Sequence, residues 1–167
     1  MNAKRTLLLM RHGKSSYPPG VADHERPLAA RGSREARLAG DWLRANVPPV
    51  DAVLCSTAMR TRQTLECTGI DAPVHYLERL YAADPRTLLA EINGVSKKVD
   101  TLLVVGHEPT TSALAMELSG AEGTDLDATH QLSTKFPTSA IAMLTLKGPW
   151  RDLDLGGAAL VGFHVPR

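Results

Sequence analysis

The sequence predicts an α/β fold: a single three-layer domain over residues 1–167, with a mostly parallel central sheet of about six strands and helices on both faces. Three observations carry this expectation. Short apolar runs recur at Leu7–Met10, Ala52–Cys55 and Thr101–Val105. Each gives way to helical spacing or a helix-start signal, and strands that alternate with helices build parallel sheets covered on both faces. A chain of 167 residues, without repeat, low-complexity tract or linker, suits one domain able to bury most of its apolar surface.

Leu7-Leu8-Leu9-Met10 is too short for a globular helix and is stopped by Gly13 and then Pro18-Pro19-Gly20, so it reads as a buried strand. A polar, proline-punctuated surface loop follows through Asp23-His24-Glu25-Arg26-Pro27. From about Ala30 the pattern turns helical, with Ala36, Ala39, Leu43 and Val47 on one stripe beside Trp42, until Pro48-Pro49 ends it. Asp51–Cys55 reads as a second strand, and Ser56 or Thr57 is the expected cap of a helix carrying Met59 to Leu65. Val74–Leu77 reads as a short strand. Asp84 caps, and Pro85 opens, a helix through Leu88, Leu89 and Ile92. Thr101–Val105 is the strongest strand. Pro109 is expected at the first position of a helix running through Leu114, Ala115 and Leu118 to Gly120. Gly123–Lys135 is polar and reads as an irregular surface loop. Ser139–Leu146 and Ala158–Val165 read as two closing strands, joined by a turn near Gly148-Pro149.

The net charge of +1, with Lys and Arg spread along the chain, argues against nucleic-acid or membrane-surface binding through bulk charge. The apolar run after Lys4-Arg5 is too short for the core of a secretory leader and is interrupted by Arg11 and His12. No stretch is long enough to span a bilayer. Cys55 and Cys67 lack the spacing of a disulfide framework or metal site, and Cys55 reads as a small core residue. The expectation is a cytoplasmic protein with no nucleic-acid or membrane partner, no metal and no cofactor.

Side chains at the carboxyl end of a strand in an open α/β sheet face the crevice where ligands bind. The first strand delivers Arg11 and His12 there. Three readings of that pair compete: a solvated strand end, a nucleotide phosphate loop, and a histidine nucleophile. A phosphate loop needs glycine five residues before Gly13-Lys14-Ser15, and Leu8 stands at that position. The second strand leads through Ser56 to Arg60 in a first helical turn, where free amides and the dipole favour anions. The strand ending at Val105 delivers His107 beside Gly106. If these strands are neighbours, Arg11, His12, Arg60 and His107 share one crevice. Taken singly, Arg60 reads as a surface helix residue, His107 as a capping or core histidine, and Glu108 as an acidic residue at a helix start.

Several segments occur in one order over most of the chain: Arg11-His12-Gly13; Asp23 with Arg26-Pro27-Leu28; Ser56-Thr57-Ala58-Met59-Arg60-Thr61-Arg62-Gln63-Thr64; Gly106-His107-Glu108-Pro109; and Pro137-Thr138-Ser139-Ala140. Together they resemble the histidine phosphatase superfamily, the phosphoglycerate-mutase-like enzymes, and within it the short SixA-type phosphohistidine phosphatases. The resemblance implies that His12 is a nucleophile that becomes phosphohistidine and is then freed by water. It implies that Arg11 and Arg60 grip the phosphoryl oxygens with planar forks, and that His107, protonated once phosphate is bound, donates a further bond. Arg26 is a further substrate-binding candidate. Glu78, in Leu77-Glu78-Arg79-Leu80, is the nearest match to the carboxylic acid with which larger relatives protonate an alcohol leaving group. Tyr81-Ala82-Ala83 stands where those relatives continue with glycine, so a plain surface role for Glu78 stays open. Ala29 stands where relatives usually have threonine after Pro-Leu.

The uncertain acid favours a leaving group that departs neutral, as an imidazole does once protonated on its second nitrogen. The chain also has little lid material between Thr68 and Asp100 or after His107. Both point to phosphohistidine on a signalling protein as substrate. A small phosphate ester, or a catalytically silent phospho-group binding module on the same fold, are the alternatives.

Overall fold

The computed structural model describes residues 4–167. Its strands are β1 (Arg5–Arg11), β2 (Ala52–Ser56), β3 (Val74–Leu77), β4 (Thr101–Gly106), β5 (Ile141–Leu146) and β6 (Ala159–His164). They form one six-stranded sheet in the order β3-β2-β4-β1-β5-β6. The four strands from β3 to β1 are parallel; β5 runs against β1, and β6 against β5. The helices are α1 (Ala30–Asn46), α2 (Met59–Thr68), α3 (Pro85–Asn93), α4 (Thr110–Leu118) and α5 (Leu126–Thr134).

The apolar runs are explained by burial on both faces. Leu7 and Leu9 of β1 pack with Leu102, Val104, Leu88, Ile92, Leu114 and Leu118, against α3, α4 and α5. The alternate residues Leu8 and Met10 pack with Val53, Cys55, Leu103, Val105, Ala39, Leu43 and Leu65, against α1 and α2. A strand covered on both faces has no solvent side and so no polar alternation. Each such leucine contributes about 1.5–3 kcal/mol when withdrawn from water.

Two glycines let α1 lie directly on its neighbours. A Cβ on Gly32 would sit 2.1 Å from the Lys14 carbonyl oxygen, and one on Gly40 would sit 2.1 Å from that of Thr68. The loop leaving β1 is therefore pressed against α1, which fixes the chain just beyond Arg11 and His12.

Four details differ from the sequence expectation. Gly123–Lys135 is not an irregular loop, because it contains α5. The Asp125 carboxylate accepts from the N–H groups of Asp127 and Ala128, and Ala128 and Leu132, one turn apart, enter the core. An apolar strip two residues wide left too thin a period to read. Neither Ser56 nor Thr57 is the N-cap of α2: that position is Ala58, whose side chain offers no acceptor. Ser56 still belongs to β2, and Thr57 reaches His24 instead. Helix α4 starts after Pro109 and ends at Leu118. The closing strands are shorter than expected, starting at Ile141 and spanning Ala159–His164. The expected capping of α3 by Asp84 and the bare N-cap of α1 at Ala29 are both observed. Among the described residues no helix is long and apolar enough to cross a membrane.

Candidate active site

The strand order makes β2, β4 and β1 neighbours, and their parallel direction puts their carboxyl ends on one rim. Arg11 pairs with Gly106 across β1 and β4, and the His12 N–H donates to the Gly106 carbonyl at 3.0 Å. His12 and His107 therefore emerge side by side, with ring centroids 5.3 Å apart. Arg60, from the first turn of α2, reaches the same place. Arg11, His12, Arg26, Arg60 and His107 all line one cleft of about 170 Å³, with Lys14 at its side.

The His12 ring is held in one orientation. Its Nδ1 lies 2.7 Å from the Gly13 carbonyl oxygen. A carbonyl only accepts, so Nδ1 carries the proton and Nε2 keeps the lone pair. The other main-chain group of Gly13 is fixed too: its N–H donates to Thr64 Oγ1 at 2.9 Å, and that hydroxyl donates to the Arg60 carbonyl at 2.6 Å. Burial pushes the His12 pKa down to about 4, against the pull of the Gly13 bond, and the charges of Arg60, Arg11 and Arg26 push the same way. The ring is neutral at neutral pH, as a nucleophile must be.

The two inner arginines are presented alike. Arg11 donates from Nη1 to the Phe136 carbonyl at 2.9 Å. Arg60 donates from Nη1 to the Asp23 carbonyl at 2.8 Å and from Nη2 to Asp23 Oδ2 at 3.2 Å. In both, Nε–H is buried and without a protein partner. Buried donors are almost always satisfied, and leaving one bare costs about 1–3 kcal/mol. Both side chains line the cleft, where guanidinium groups suit the oxygens of an oxyanion. Arg26 lies further out, bonded to Asp23 Oδ1 at 3.0 Å and to Ser15 Oγ at 2.7 Å, with its guanidinium 4.0 Å from the Tyr17 ring centre.

His107 shares Nε2 with the Ser56 hydroxyl at 2.8 Å, and Ser56 Oγ also accepts from Ala58 N–H at 3.2 Å. Its Nδ1 is buried and without a partner. Burial, then the neighbouring His12 and Arg60, lower its pKa to about 3, while Asp23 opposes them. Ligand-free His107 is therefore neutral; the expected imidazolium requires the negative charge of a bound anion. Serine suits both states, because its hydroxyl donates to a neutral ring and accepts from a protonated one.

Sequence reasoning placed Arg11, His12, Arg60 and His107 together, and they are together. Glu78 is exposed on a single 3-10 turn after β3 and lies outside the cleft lining. Glu108 does line the cleft, but both its oxygens accept from Ser112, at 2.7 Å from N–H and 2.6 Å from the hydroxyl. Sequence reasoning assigned no role to Ser56 beyond capping, and none to Thr64, Asp23 or Tyr81. Asp23 carried a signal in its fixed spacing to Arg26-Pro27-Leu28; Tyr81 carried none. The Tyr81 hydroxyl, with Arg26 and Arg60, holds the Asp23 carboxyl well below the usual carboxylate range. Cys55 is buried and its thiol is pushed up to about 12, which makes it inert. Among the described residues no group of three or more His, Cys, Asp and Glu side chains converges as a metal site.

Comparison with known proteins agrees with this fold. The family model described as histidine phosphatase superfamily (branch 1) matches residues 7–84. An uncharacterised protein of Mycobacterium tuberculosis is 66% identical over 158 residues, spanning 95% of this chain and 100% of its own. Phosphohistidine phosphatase SixA of Escherichia coli is 30% identical over 146 residues, 84% of each chain. Among solved structures, a protein of Nakamurella multipartitia named for SixA superposes with a TM-score of 0.90 at 42% identity, covering 98% of this chain and 97% of the other. The protein histidine phosphatase SixA in complex with tungstate superposes with a TM-score of 0.77 at 28% identity, covering 96% and 97%.

Proposed function

The chain belongs to the histidine phosphatase superfamily, and we propose that it is a phosphatase that works through a phosphohistidine on His12, with phosphohistidine on another protein as its preferred substrate. The main support is the orientation of one ring: His12 offers the lone pair of Nε2 because Nδ1 is tied to Gly13. Around it the side chains of Arg11, Arg60 and His107 line the same cleft.

The phosphoryl oxygens accept hydrogen bonds from these side chains. Nε2 of His12 attacks phosphorus as the bond from phosphorus to the substrate nitrogen breaks. The departing imidazole, already protonated on its second nitrogen, leaves neutral. Water then attacks the phosphoryl group, the bond to Nε2 breaks, and both protons of the water leave with phosphate. Donors aimed at charge that develops in the transition state are worth more here than in bulk water. An alkoxide leaving group would need a proton, and three carboxylates are badly suited to give one: Glu78 lies outside the cleft, Glu108 is bound to Ser112 at both oxygens, and Asp23 is held ionised by Tyr81, Arg26 and Arg60. Tungstate has the tetrahedral oxyanion shape of phosphate, so the tungstate complex of a SixA supports an oxyanion site of this kind.

The test uses a carrier protein radiolabelled on phosphohistidine. Wild type should release phosphate and trap an acid-labile label. His12→Ala should trap none and lose turnover by a factor on the order of 10⁴ or more. Chelators should leave the rate unchanged. Faster turnover of sugar or nucleotide phosphates would overturn the substrate assignment. Neither label nor turnover in wild type would leave a phospho-group binding module.

A further inference from the structure

Tyr81 follows the 3-10 turn Glu78–Leu80 and takes no part in the chemistry above. Its hydroxyl donates to Asp23 Oδ2 at 2.5 Å, and the same oxygen accepts from Arg60 Nη2 at 3.2 Å. Its ring meets the His107 imidazole edge-on, with centroids 5.6 Å apart, and the Arg60 guanidinium lies 5.9 Å from its centre. One side chain therefore touches both the anchor of the second arginine and the ring of the second histidine.

Asp23 needs such help. It sits on the short turn Asp23–Glu25, and its side chain is 57% exposed. Water competes for an exposed carboxylate, and an exposed ion pair alone is worth little. A second donor on the same oxygen restricts the rotation of the carboxylate, and a restricted carboxylate restricts the guanidinium it holds. Groups fixed before the ligand arrives do not lose that freedom on binding.

We propose that Tyr81 is a positioning residue for phosphoryl binding: its hydroxyl holds Asp23, Asp23 holds the Nη end of Arg60, and the Arg60 guanidinium is thereby fixed in advance against the cleft it lines. The proposal rests on the phosphatase reading of the site. It also gives a use to the segment Tyr81-Ala82-Ala83, where the sequence departs from the larger relatives.

Tyr81→Phe keeps the ring and removes only the hydroxyl. The readout is binding of inorganic phosphate, followed by calorimetry and phosphorus NMR, together with the melting temperature. Tyr81→Phe should weaken phosphate binding by about 10-fold, the lower end for a hydrogen bond to a charged group, with an unchanged melting temperature. On an Asp23→Ala background the same substitution should change affinity no further, because the hydroxyl acts through that carboxylate. Wild-type affinity in Tyr81→Phe would overturn the proposal alone. So would a loss that adds to that of Asp23→Ala, or one that tracks a lower melting temperature. Absence of phosphate binding to wild type would overturn the functional reading and this proposal together.

Discussion

The two halves of the cleft hold the same kinds of side chain by different means. On the β1 side, Arg11 and His12 are tied to main-chain carbonyls, those of Phe136 and Gly13. On the β2–β4 side, His107 is tied to the Ser56 hydroxyl, and Arg60 to the Asp23 carboxylate as well as its carbonyl. A main-chain anchor moves only when the fold moves. A side-chain anchor is one substitution away from loss. His12, the proposed nucleophile, thus stands on the sturdier half, and the opposite half can be altered residue by residue.

The comparison breaks first if the two arginines are not equivalent toward the anion. Arg11→Ala and Arg60→Ala should each lower kcat/KM by about 10²–10³-fold, with circular dichroism and melting close to wild type. A near wild-type rate in either removes that arginine from the site. The difference in anchoring sharpens next. Asp23→Ala should lower kcat/KM by about 10-fold or more, because the end of Arg60 loses a charged partner. Phe136→Leu, which keeps the carbonyl that holds Arg11, should stay within about 3-fold of wild type despite a packing loss on the order of 1–3 kcal/mol. Equal losses in both would mean that the halves are not built differently.

The halves should agree in protonation. His12 and His107 have pKa values lowered from 6.5 to about 4 and about 3, chiefly by burial, so both are neutral above that range. Their ring resonances should not move between pH 8 and about pH 5.5. The unfolded chain takes up protons on these residues below pH 6.5, while the native state refuses them until much lower pH. Stability is therefore fully present above pH 6.5 and falls as the pH drops toward about 4, read as a lower urea midpoint at pH 5 than at pH 7. The smallest effect lies outside the cleft. The N-cap of α1, Ala29, has no side-chain acceptor, so Ala29→Thr should raise stability by about 0.5–2 kcal/mol and leave kcat/KM unchanged.

What could be read from the sequence follows from the same difference. Buried parallel strands announce themselves as apolar runs, so β1, β2 and β4 and the residues leaving them were legible, and with them Arg11, His12 and His107. Arg60 needed the strand order to join them, and no local pattern encodes strand order. Helix α5 escaped notice because Ala128 and Leu132 are its only buried residues. What the anchors of the second half hold was illegible for another reason. Ser56, Asp23 and Tyr81 are 51, 37 and 58 positions from the residues they hold, His107, Arg60 and Asp23. Polar contacts over such separations exist only once the chain has folded.

Fixing the His12 proton on Nδ1 has a regiochemical consequence. Phosphohistidine exists as two positional isomers that differ in lifetime and in phosphorus resonance. A chain that binds its near nitrogen to a peptide oxygen can be modified only on the far one, so a trapped intermediate should be the tele isomer and never the pros. The selection is made at residue 13, which has no side chain, by the main chain itself.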